Sequence, residues 1–123
     1  MDIQGILERF SLISGLTNEE ALIWVPLLTD AKNEIEAKLK DDVDLTAENR
    51  RLNVAAAAFG FYKYTLYKFS NSETGSFSAG DISVNLNEKE IINIAFNIWL
   101  EAKASIHDLL KDDEFLFQGV NFF

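Results

Sequence analysis

A chain of 123 residues with 48% hydrophobic and 25% charged residues has the length of one domain and the balance of a soluble globular one, not of a disordered segment. Its net charge of −9 argues against general nucleic-acid binding, which needs clustered Lys and Arg to meet phosphates. Cysteine is absent and His107 is the only histidine, which excludes disulfides, thiolate chemistry and any two-histidine metal site within one chain. No apolar run approaches the ~20 residues that span a bilayer, and the opening "MDIQGILERF" lacks a basic n-region. The expectation is a single cytoplasmic domain over residues 1–123 with no cofactor.

The first predicted helix runs from Asp2 to about Ser14, with Ile3, Ile6, Leu7 and Phe10 at helical spacing and Asp2 as N-cap. Gly15 stops it. Thr17, with Glu20 three residues on, makes a capping box for a second helix, in which Ala21, Trp24, Leu28, Ala31, Ile35 and Leu39 recur every three or four residues. Pro26 interrupts that pattern, and its missing N–H predicts a kink or a break there. The acidic connection "DDVD" follows, with Asp44 or Thr46 placed to cap the next helix.

The third predicted helix, from about Ala47 to Phe69, contains "NVAAAAFGFYKYTLYKF". Leu52, Ala55, Ala56, Phe59, Tyr62, Leu66 and Phe69 form one stripe, widened by Val54, Ala58, Phe61 and Thr65. A helix apolar over so much of its circumference belongs at the centre of a fold or in an interface. The fourth, from about Glu88 to Leu110, repeats this breadth through Ile91, Ile92, Ala95, Phe96, Ile98, Trp99, Ala102, Ile106 and Leu109, with Asn85 or Asn87 as cap. At ~1.5 Å per residue each would be roughly 35 Å long, and the two are expected to pair antiparallel as the core. The fold class is therefore all-α, a small bundle of about four helices with two long central antiparallel ones. A long loop arm over 70–86, alternating enough for a short β segment near 81–85, and a tail over 111–123 complete the chain.

Charge is uneven: residues 46–70 carry four bases against one acid, while both flanks are acidic. The basic stretch is a candidate for meeting acidic surfaces of its own fold or of a neighbour, although a solvated helix face explains it more simply. The aromatics interleaved with Lys63 and Lys68 could stack bases, but helical spacing turns most of them inward. His107 has no nucleophile or oxyanion donor near it in sequence. The acidic clusters at 41–44 and 111–114 lack the spacing of a calcium loop, and no P-loop, GxGxxG or GxSxG is present. The chain is not expected to be an enzyme.

What remains is "SNSETGSFSAGDISVN", residues 70–85, far longer than two antiparallel helices require. Gly80, Asp81, Ile82, Ser83 and Val84, after a serine-rich stretch and before a long helix, resemble the loop of head–tail connector (head-completion) proteins of long-tailed phages and prophages. The helix order from Thr17 to Leu110 is similar too. The resemblance implies a structural subunit of a phage or prophage neck ring that joins portal and tail, located in the host cytoplasm and then in the virion neck. Its implied partners are further copies of itself, the portal protein and a downstream neck or tail protein. Mapped onto this chain, the partner-binding residues are Phe77, Asp81, Ile82 and Val84 in the loop, and Phe115, Phe117, Phe122 and Phe123 in the tail. Ile82 and Val84 lie on one side of an alternating segment, a pattern suited to adding an edge strand to another chain. The rival readings are a small acidic helical protein-binding or regulatory module of bacterial origin, and a helical enzyme whose active site forms only between subunits.

Overall fold

The computed structural model describes residues 1–70 and 88–111. Its helices are α1 (Ile3–Ser14), α2 (Asn18–Leu22), α3 (Val25–Lys38), α4 (Asn49–Ser70) and α5 (Glu88–Ser105), followed by a 3₁₀ turn at His107–Leu109. No strand occurs among the described residues, and the protein is an all-α bundle.

The helix ends follow local chemistry. Asp2 caps α1, its carboxylate accepting from the Gly5 N–H at 2.8 Å. Gly15 closes α1 at φ 78°, a left-handed position that glycine occupies at no steric cost. The capping box is present at α2: Thr17 Oγ1 accepts from the Glu20 N–H, and Glu20 Oε1 accepts from the Thr17 N–H. Pro26 produces a break, not a kink. α2 ends at Leu22, the chain turns through Ile23 and Trp24, and Pro26 falls in the first turn of α3, where its absent N–H costs nothing. Asp44 accepts from the N–H groups of Thr46 and Ala47 in a turn just before α4, so α4 begins slightly later than its periodicity predicts.

α4 is the axis of the bundle. Ala55, Ala56, Ala57 and Ala58 point to successive sides and are all buried, because helices close in on more than one face and only small side chains fit between. α5 runs antiparallel along it: Phe59 stacks on Trp99 at 4.4 Å, Tyr62 meets Phe96 at 5.2 Å, and Arg51 reaches Asp108. α1 lies parallel to α4, its start beside Asn53 and its Phe10 against Tyr64. α3 is antiparallel, with Trp24 on Tyr64 and Tyr67 and Leu28 filling the space over Gly60. The predicted pairing of two long helices is thus correct but is half of the core, since α1 and α3 cover the rest of α4.

α5 is shorter than its apolar pattern predicts. Regular helix ends at Ser105, Ile106 leaves helical geometry, and Leu109 and Leu110 are buried from a 3₁₀ turn and an extended residue. Two backbone hydrogen bonds fix that departure: the Lys40 N–H donates to the Leu109 carbonyl, and the Lys111 N–H to the Lys38 carbonyl. They make one antiparallel bridge, Leu39 to Leu110, which ties the chain after α5 to the end of α3. A continued helix would leave both ends without those partners.

Candidate functional site

The loop and tail residues singled out from sequence, Phe77, Asp81, Ile82, Val84, Phe115, Phe117, Phe122 and Phe123, lie outside the described residues, as does the β segment near 81–85. The structure places what flanks them. α4 ends and α5 begins at the same end of the bundle, where Trp24 meets the rings of Tyr64 and Tyr67 edge-on. Ile23 (72% exposed) and Tyr67 (62% exposed) stand beside it in the open, with Leu22.

The basic stretch of α4 is largely used by the fold. Arg51 donates to Glu48, to Asp108 and to the Ser105 carbonyl at 2.7–2.9 Å, which satisfies a carbonyl at the end of α5. Those bonds, the one to Asp108 first, hold the Arg51 guanidinium above its ordinary pKa and the Asp108 carboxyl below its own. Lys63 pairs with Glu34 of α3 and lies over the Phe59 ring, and Lys68 lies over Tyr64. The surfaces these bases meet are therefore their own. Of the four bases, Arg50 alone has no such contact among the described residues.

Arg50 faces an open groove of about 410 Å³ between α1 and α4, lined by Gly5, Glu8, Arg9 and Leu12 on one side and Asn49, Arg50 and Asn53 on the other. Spacings of three and four residues put each set on one helix face. At its inner end Asp2 and Asn53 exchange hydrogen bonds: the Asp2 N–H donates to Asn53 Oδ1 at 3.1 Å, and Asn53 Nδ2 donates to Asp2 Oδ1 at 2.9 Å. Asn49 adds a third donor. These bonds, with that of the Gly5 N–H, hold the Asp2 carboxyl down at about 2, Asn53 having the largest influence. Glycine at position 5 leaves room for the Asn53 bond, since a Cβ there would force Asn53 Nδ2 to shift. Sequence reasoning did not find this groove. Its signal was the Asn49–Asn53 pair at i, i+4 together with Gly5 three residues after a capping acid.

The described residues also place the acidic groups and the lone histidine. No group of three or more His, Asp or Glu side chains among them is placed to hold a metal, and Asp44 of the 41–44 cluster is engaged by backbone N–H groups. His107 is exposed in the 3₁₀ turn. No described helix is long and apolar enough to cross a membrane. Fold and surface together define a small all-α bundle with an apolar end and a charged groove. Comparison with protein-family models, with curated proteins and with solved structures finds no match to the chain.

Proposed function

We propose that the protein is a structural subunit of a phage or prophage neck ring, joining portal and tail through protein–protein contacts. The observation that carries this reading is the Gly80–Val84 patch, "GDISV", set in a connection of residues 71–87 between two helices that pack along each other. Antiparallel helices need only a brief link, so the added length serves something other than the turn. The exposed Leu22, Ile23 and Tyr67 at the same end extend the apolar surface from which that connection leaves. A small acidic protein-binding module of bacterial origin would use the same surface, and the two readings separate on what they bind.

The test is deletion of residues 72–80. A ring subunit keeps its helical circular dichroism and loses assembly with portal protein. Collapse of the helical signal would show that the connection serves the fold and would remove the basis of the proposal.

A further inference from the structure

We infer that residues 106–111 are a two-state segment, bridged to α3 in this structure and able to continue α5 as regular helix when that bridge is released. Nothing in the local sequence stops α5 at Ser105. Residues 101–111, "EAKASIHDLLK", contain no glycine or proline, the residues that ordinarily end a helix. Trp99, Ala102, Ile106 and Leu109 recur every three or four residues, Leu110 stands four beyond Ile106, and all are buried. The apolar stripe of α5 therefore runs on past its last regular turn. Local pattern and tertiary partners pull this segment in different directions.

The hydrogen bonds of the two forms are closely matched. In the structure the Leu109 N–H donates to the Ile106 carbonyl at 2.8 Å, the Leu110 N–H to the His107 carbonyl at 3.2 Å, and the Lys111 N–H to the Lys38 carbonyl at 2.8 Å. In a continued helix the same three would donate to Ser105, Ile106 and His107, each four residues back. Each N–H has a partner in both forms. The bridged form is held by bonds from outside: the Lys40 N–H to the Leu109 carbonyl at 2.9 Å, and Arg51 Nη2 to the Ser105 carbonyl at 2.7 Å. The second occupies the carbonyl that the Leu109 N–H would use in a helix. Release turns the Lys38 carbonyl, the Lys40 N–H and the Arg51 guanidinium over to water. All three belong to partly or fully exposed residues, where such an exchange has a small net cost. The forms differ in where the chain goes next. Bridged, it leaves beside the end of α3; helical, six further residues carry it about 9 Å along α5. The Lys38–Lys40 backbone and the exit toward residue 112 are thereby coupled, and a partner that paired with that backbone would favour the helical form. The inference does not depend on the neck-ring reading.

The full chain carrying Lys40→Pro/Arg51→Ala tests this. Leu39 is already extended, at φ −76° and ψ 148°, the conformation favoured before a proline. The pair therefore removes both outside bonds and leaves residues 101–111 unchanged. Backbone NMR shifts should be helical to Ser105 in wild type and through Leu110 in the variant. Ellipticity at 222 nm should grow by about five residues' worth of helix, and the Leu109 and Leu110 amides should stay protected from exchange. If the pair does not fold, Arg51→Ala alone, which frees the Ser105 carbonyl, is read the same way. Coil-like shifts over 106–110 with lost protection would show a segment ordered by the bridge alone. Unchanged shifts would show that the bridge is not what ends α5. Either result overturns the inference.

Discussion

Replacing Asn53 with Ala should couple the start of α1 to acid stability in a measurable way. Asn53 is buried at 5% exposure and makes two of the bonds that seat Asp2. Its truncation removes both, each worth about 1 kcal/mol net, and weakens an N-cap typically worth about 1 kcal/mol. Because Asp2 is solvent-exposed, screening lowers its share, and about 2 kcal/mol in total is expected. With a urea m-value of about 1–3 kcal/mol/M, the midpoint falls by roughly 1 M, followed by the fluorescence of Trp24 and Trp99. The pH dependence gives the sharper signature. The Asp2 carboxyl is depressed in the folded protein to about 2 from 3.8, so its contribution is fully present above about pH 4 and is lost as pH falls toward 2. Asn53→Ala removes the largest cause of that depression, so the mutant should lose less stability than wild type over this interval. Asp2→Ala should do the same, and the double variant should be less destabilised than the sum of the two. Strict additivity, together with an unchanged acid limb, would refute the coupling of Asn53 to Asp2.

Trp99→Ala should cost about 3–5 kcal/mol, because the side chain is buried at 2% exposure and stacked on Phe59; a loss of unfolding free energy under about 1 kcal/mol in urea would show that α5 is not part of the core. Gly60→Val should destabilise by about 1–3 kcal/mol through overpacking, since even a Cβ there meets Leu28 Cδ2, and relief by Leu28→Ala in a thermal melt would confirm the cause. Burial pushes the Tyr62 hydroxyl up to about 12 from 10.0, so its contribution is intact below pH 10 and declines as pH rises to 12; Tyr62→Phe should flatten that alkaline limb. Arg51→Ala should speed amide exchange at Lys40 and Lys111, whose N–H groups sit in the bridge beside the Ser105 carbonyl clamp, and unchanged exchange there would contradict the role given to Arg51.

Much of the fold was legible because it is local. Asp2, Gly15 and the Thr17–Glu20 pair announce helix ends through bonds made within a few residues, and the stripes of α4 and α5 reflect a single period. What was missed is non-local. Periodicity continues from Ser105 through Leu109, and the helix nevertheless ends, because Lys38 and Lys40, about seventy residues earlier, offer backbone partners. The share of α1 and α3 in covering α4 was likewise hidden, since four alanines say that neighbours come close without saying which. Arg50 and Arg51 are adjacent and chemically identical in sequence. Only the step of about 100° between neighbours on α4 sends one to Asp108 and the other to an open groove.

The neck-ring reading is tested most directly by light scattering of the chain mixed with portal protein, with negative-stain images of the same sample. The account predicts a complex whose mass corresponds to a ring of copies seated on the portal ring, visible as an added layer. A chain that elutes as a monomer beside unaltered portal rings would contradict it.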